Sequence, residues 1–201
     1  ASRISWQGGS LLASVYHKRI GNYYTRIYIQ PPTHANITVK GYSNIPKSTN
    51  SGLELNLDQT VTKAWKLNLN GNVFQNRIFG YTGEIAFPTP VVYVIADQKD
   101  APWFFKANNL FTVSPRVKCE LSGSYFSDKA TAQGSELSRW SVNLGVKTLW
   151  LGGKLEVNLS ANDIFNRMGI RQNFDQGGGY RTFYENAYET QVISVSTKLK
   201  F

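Results

Sequence analysis

Nowhere in the 201 residues does a stretch approach the roughly 20 consecutive apolar side chains that a membrane-spanning helix requires, so helical spanning is excluded. Cysteine is nearly absent. A lone Cys119 rules out an intrachain disulfide and leaves no second thiolate for a metal. It shares parity with Val117 and Leu121 and reads as a small apolar filler. His17 and His34 stand alone, outside any H-x-x-x-H spacing, so no histidine metal site is expected. Basic runs are missing too, although 22 Lys and Arg against 13 Asp and Glu leave a net charge of +9. Scattered cations argue against a phosphate-tracking surface and fit a positive lumen or a surface facing anionic ligands or headgroups, so nucleic acid is not an expected partner. The opening ASRISWQGG has no charged-then-apolar signal region, which suggests a processed start or a piece of a longer protein.

Catalytic constellations are lacking as well. Glu54, Asp58, Glu156 and Asp163 fall on polar strand faces with no paired carboxylate in a cleft, and they read as solvated groups beside Lys or Arg. Gly177-Gly178-Gly179 has no strand–loop–helix context and reads as a loop tip rather than a phosphate cradle. The expectation is a chain that is not an enzyme and carries no cofactor and no metal.

What is present is alternation. In NAYETQVISVSTKLKF (186–201), Ile193, Val195, Thr197, Leu199 and Phe201 lie on one side and Ser194, Ser196, Lys198 and Lys200 on the other, the period of a strand with one dry and one wet face. The same pattern runs through residues 51–61 and 65–79. It is clearest at 139–150, where Trp140, Val142, Leu144, Val146 and Trp150 alternate with Arg139, Ser141, Asn143, Gly145 and Lys147. Residues 10–30, 36–45, 103–113, 117–126 and 154–165 complete about eight strands. Pro31-Pro32 marks a turn, and Pro46 a break between 36–45 and 51–61. Links at 62–64, 114–116 and 151–153 are very short; those at 31–35, 80–101, 127–136 and 166–184 are mostly longer.

Strands of ten or more residues exceed the usual globular length of about 5–6 and match the roughly 9–11 needed to cross a bilayer at a tilt. Short turns at one end, long loops at the other and tryptophans bracketing the apolar stripe predict an all-β antiparallel transmembrane barrel, with outer-membrane lipid on the dry face. Trp65, Trp140, Trp150 and Phe201 are the expected interface aromatics. A terminal strand ending in Phe looks like the signal by which the barrel-assembly machinery recognises its clients. The alternatives are a self-contained eight-stranded structural or adhesive barrel and a soluble β-sandwich carbohydrate-binding module.

Three stretches, SGLELNLDQTVTKAWKLNLNGNVF, ANDIFN and TFYENAYETQVISVSTKLKF, together resemble the C-terminal barrel of Bacteroidota-type TonB-dependent outer-membrane receptors. Gly52-Leu53-Glu54-Leu55 matches the family's G-x-E strand start, and Asn162 to Asn166 the element before its last external loop; the likeness covers about residues 10–201. The resemblance implies a Gram-negative outer-membrane location and import of a scarce nutrient (iron chelate, glycan or peptide). It also implies as partners a plug and further N-terminal strands, TonB acting through the plug, and a surface lipoprotein. No plug is found in residues 1–201, which read as the C-terminal part of such a barrel. For ligand capture the expected residues lie in the long loops: Phe87, Tyr93, Trp103 and Tyr180 as flat faces, Arg171 and Arg181 for anionic groups.

Overall fold

Strands with two distinct faces pair with their sequence neighbours, and the result is one antiparallel wall. In the computed structural model, which describes residues 1–29, 37–86, 90–175, 181–186 and 188–201, the strands are β1 (Ser2–Trp6), β2 (Gly9–Ile29), β3 (Val39–Thr62), β4 (Trp65–Ile78), β5 (Tyr81–Ile85), β6 (Val91–Ile95), β7 (Gln98–Asp100), β8 (Trp103–Ser114), β9 (Val117–Phe126), β10 (Lys129–Thr131), β11 (Gly134–Glu136), β12 (Arg139–Trp150), β13 (Leu155–Asn162), β14 (Ile170–Asp175), β15 (Arg181–Asn186) and β16 (Val192–Leu199). A 10-stranded sheet runs β1-β2-β3-β4-β8-β9-β12-β13-β16, with β7 added to the top of β4. The path is open: among the described residues β1 and β16 do not pair.

Opposed residues of an antiparallel ladder share a face, so register shows how each face is composed. One row joins Leu11, Leu57, Leu69, Ala107, Gly123 and Val142; the next joins Asn56, Asn70, Lys106, Ser124 and Ser141 on the opposite side. The apolar face is outward and uncovered, with Ile193 75% and Val195 67% exposed. The polar face is knitted together. Asn68 donates to Asp58 (2.7 Å), Asn56 to Glu54 (3.1 Å), and Asn70 to Asn56; Lys147 pairs with Glu156 at 2.6 Å.

Aromatic rings mark both margins of the apolar band. At the short-turn end Trp65 stacks on Phe111 (5.9 Å), and at the other Trp103 stacks on Tyr125 (4.8 Å) and Trp140 leans on Phe165 (5.4 Å). Each short-turn tryptophan has a partner for its indole N–H: Trp6 donates to Gln59 (2.8 Å), Trp65 to Asn109 (3.1 Å) and Trp150 to Thr148 (2.8 Å). Trp140 and Trp150 close the two ends of the 12-residue β12. At about 3.3 Å per residue and a tilt of ~40°, that places the two belts roughly 25 Å apart, the height of a membrane band.

The packed core lies beyond this band. Ile27 and Ile45 are wholly buried, and Ile29, Ile78, Tyr93, Ile95 and Ala132 join them where β2, β3 and β4 run past the upper belt. β3 alone has 24 residues, about 80 Å of strand, more than twice what the band requires.

Several expected boundaries are corrected. The segments expected at 36–45 and 51–61 merge into one strand, β3, which starts at Val39 and runs unbroken to Thr62. Pro46 sits inside it, opposite Asn22, and the left-handed backbone of Asn22 (φ 51) accommodates the missing donor while Gly21–Lys47 and Tyr23–Ile45 stay paired. The 80–101 link folds into the β5–β6 hairpin, which packs on the β2–β3 extension. Gly41 permits that approach, because a Cβ there would collide with Ile85 Cδ1. The 127–136 and 166–184 links contribute β10, β11, β14 and β15 to a four-stranded sheet of their own. The final strand is shorter than 186–201, starting at Val192. β1 was missed because ASRISWQGG carries too few apolar residues to show its period. Pro31-Pro32, His34 and Gly177 to Gly179 lie outside the described residues.

Candidate functional site

A cavity of about 650 Å³ opens on the polar side of the wall, just above the upper belt. Its floor is built from inward-pointing positions of β3 and β4, Asn50, Phe74 and Asn76, and its side from Tyr24, Arg26, Tyr28 and Tyr42. The roof is residues 129–133, which the β9–β12 connection throws back across the sheet, with Gln172 and Phe174 of β14 beside them.

The roof is anchored by a single side chain acting as a strand. The Gln133 carbonyl accepts the Tyr28 N–H (2.7 Å), and its amide donates to the Tyr28 carbonyl (2.9 Å), filling a rung on the open edge of β2. Phe174 packs on the Tyr28 ring at 4.3 Å. Behind it, buried Glu136 receives Arg139 at 2.6 Å, Lys129 at 3.2 Å and the Gln172 amide at 3.4 Å. Asp100 ties the other side, accepting the Ala130 N–H (2.5 Å) and the Asn76 amide (3.0 Å). Replacing Gln133 with Leu keeps the bulk and removes both bonds, about 1–3 kcal/mol of local anchoring. The expected outcome is Tyr28 amide exchange faster by roughly 10- to 100-fold, with the wall amides of β8 and β9 unchanged. Hydrogen exchange measured by mass spectrometry checks it.

The ANDIFN stretch has a different job. β13 ends as Asp163 turns into a left-handed conformation (φ 42), followed by Asn166 (φ 52). The Asp163 carboxylate, 3% exposed, collects the Arg167 N–H (3.0 Å), the Met168 N–H (2.9 Å) and the Thr190 hydroxyl (2.5 Å), while its own N–H donates to Asn143 (2.8 Å). Burial pushes this carboxyl up, but the three donors outweigh it and hold the group below the usual carboxylate range. Asp163 is a structural knot between the end of β13, the 166–169 turn and the approach to β16.

Of the loop residues expected to capture ligand, the four that the structure describes, Tyr93, Trp103, Arg171 and Arg181, are not among those lining the cavity. Tyr93 is buried in the core, its hydroxyl shared with Ser43 and with Tyr81 (3.2 Å); burial pushes the Tyr81 phenol up to about 12. Trp103 belongs to the upper belt. Arg171 donates to the Ser138 carbonyl (3.0 Å), and Arg181 lies 3.7 Å from Asp175. Phe87 and Tyr180 lie outside the described residues. The cavity residues escaped sequence reading because Tyr24, Tyr28 and Tyr42 look locally like any strand tyrosine. Of the expected interface aromatics, Trp65 and Trp150 are in the short-turn belt, Trp140 is in the upper one, and Phe201 follows β16, fully exposed. Among the described residues no three His, Cys, Asp or Glu side chains converge as a metal site would need.

The profile of the outer membrane protein β-barrel family matches residues 3–200. The chain belongs to that family. No curated protein and no solved structure matches it. As a family member it resides in the outer membrane, its exposed apolar face meets lipid, and the soluble sandwich is set aside. Short turns are periplasmic and long connections extracellular in such barrels, so the cavity and the packed core stand on the outside of the cell.

Proposed function

We propose that this chain is part of the barrel wall of a TonB-dependent receptor, importing a scarce nutrient (iron chelate, glycan or peptide) rather than catalysing a reaction. Strand parity carries the reading. Successive antiparallel pairings along the nine strands of the path leave β1 and β16 running in the same direction. Bacterial single-chain barrels close antiparallel with an even strand number, so a cylinder containing β1 needs an odd number of further strands between β16 and β1. Plugged transporters, at about 22 strands, are of that larger kind. On this reading the rest of the receptor supplies those strands and the plug, and TonB pulls on the plug. The assembly machinery engages the β16 end, and a surface lipoprotein meets the mouth. A self-contained eight-stranded barrel would instead have to strip β1 from β2, breaking five register pairs from Ser2–Ala13 to Trp6–Gly9, and close β2 on β16.

The test is receptor-dependent growth of intact cells on the limiting nutrient. Growth is expected to stop when TonB is removed, with the receptor still present in the outer membrane. Undiminished growth without TonB overturns the proposal, as would a closed, heat-modifiable barrel formed by these residues alone.

A further inference from the structure

Charge returns to the outward face of the wall in one sector, just beyond the upper belt. Between the belts the apolar face of the described strands carries no Lys, Arg, Asp or Glu. On β2, β3 and β4 its last apolar row is Val15, Leu53 and Val73, in register with Trp103. The next row on that face is polar: His17, Ser51 and Gln75. The row after it is cationic. Arg19, Thr49, Arg77 and Lys99 pair in register across β2, β3, β4 and β7, and Lys47 follows two residues further along β3. That row lies four residues beyond Leu53, roughly 10 Å of height at ~3.3 Å per residue and a ~40° tilt. An apolar band of about 25 Å within a bilayer of about 40–45 Å leaves a headgroup layer of similar depth on each side.

The sector is built as a notch. Thr49 is short, and long cations flank it on three sides: Arg19 and Arg77 about 4.8 Å away on the neighbouring strands, and Lys47 along its own strand. Phe79 holds two of them, with Lys47 Nζ 4.0 Å and the Arg77 guanidinium 4.3 Å from its ring centroid. Arg77 also pairs with Asp97 at 2.8 Å. Among the described residues no carboxylate lies within ion-pairing distance of Arg19, Lys47 or Lys99. Four cations against one carboxylate leave three positive charges, and Arg19 and Lys99 are exposed. Like charges gathered this closely repel one another, and a compact anion of more than one charge relieves them. A phosphate monoester suits the notch, since it carries close to two charges and three acceptor oxygens.

We propose that this notch binds the phosphate monoester of an outer-leaflet lipid headgroup. Arg19, Lys47 and Lys99 supply the charge, the Thr49 hydroxyl donates between them, and the acyl chains run down the exposed Val15, Leu53 and Val73. The proposal rests on the outer-membrane location and not on the import reading.

The experiment is lipid titration of the detergent-purified full-length protein, followed by native mass spectrometry. The probes are phosphatidic acid and diphosphoryl lipid A (monoesters), phosphatidylglycerol (a diester) and phosphatidylcholine (a zwitterion), with glycerol 3-phosphate as a chain-free competitor. The two monoester lipids are expected to bind about 10-fold tighter than the others, the scale of one further charged hydrogen bond. Replacing Arg19, Lys47 and Lys99 together by Gln should weaken that binding about 100-fold, at roughly one headgroup cation's contribution each. Thr49→Glu, which puts a carboxylate where the phosphate would sit, should weaken it by about 10-fold or more. A control that replaces the lumen-facing Lys66, Lys106 and Lys118 by Gln removes the same charge and should leave binding unchanged. All three variants should remain heat-modifiable, showing an intact barrel. The proposal is overturned if the monoester lipids bind no better than phosphatidylglycerol, if the outer-face variants bind like the parent, or if the lumen control weakens binding as much. Displacement of the lipid by an equal concentration of glycerol 3-phosphate overturns it too, since the notch would then take free phosphate.

Discussion

Arginine at Leu159 is expected to destabilise the folded barrel by about 2–4 kcal/mol, while arginine at the very next residue, Ser160, changes stability by less than about 1 kcal/mol. Leu159 pairs with Val146 on one side and Val195 on the other, between the two aromatic belts and on the uncovered apolar face. A guanidinium there must lie in hydrocarbon or bend far to reach a headgroup. Ser160 pairs with Gly145 and Ser194, and the same row continues to Glu120 on the lumen side, where an arginine finds space, water and a carboxylate. Urea titration of the full-length protein folded into lipid vesicles, followed by tryptophan fluorescence, measures both. Equal effects at the two positions would mean that the faces have been assigned the wrong way round.

Removing the carboxylate at Asp163 is the second large effect. Asp163→Ala leaves two backbone N–H groups and the Thr190 hydroxyl without their shared acceptor in a buried turn, a loss of about 2–4 kcal/mol. Asp163→Asn keeps one acceptor oxygen and should fall between wild type and Ala. Because the folded-state carboxyl titrates below the unfolded value of about 3.9, its contribution is fully present above that pH. It fades as pH falls through the depressed folded value. The gap between wild type and Asp163→Ala in unfolding midpoint should therefore be constant from neutral pH down to the unfolded pKa and close in more acidic solution. A gap unchanged at strongly acidic pH would mean the carboxylate charge is not what holds the turn.

The wall was legible in the sequence because every position on it faces one of two media. Trp140 to Trp150 must satisfy lipid on one parity and a wet lumen on the other, and that leaves a period no tertiary context can erase. The extracellular elements obey no such rule. Residues 91–95, VVYVI, are an unbroken apolar run long enough for a strand, but neighbouring prolines and the length of the 80–101 link favour a loop; only packing on the β2–β3 extension reveals β5–β6. The role of Asp163 was hidden because a turn carboxylate and a solvated one look alike until the donors around it are seen. The cavity was least legible, since it joins residues of β2, β3 and β4 to a roof more than a hundred positions away, and nothing local distinguishes Gln133 from a surface glutamine.

The Gln133–Tyr28 rung also orders events in time. Five of the eight wall ladders join strands adjacent in sequence and the other three bridge longer excursions, so much of the wall can zip from hairpin to hairpin with little loop closure. The roof rung spans 105 residues and has no surface to land on until β2, β3 and β4 stand side by side above the membrane. The cavity is therefore the last part of the molecule to mature. A chain caught after insertion but before that final rung would be correctly placed in the membrane, stable to denaturant along its wall, and still without its mouth cavity.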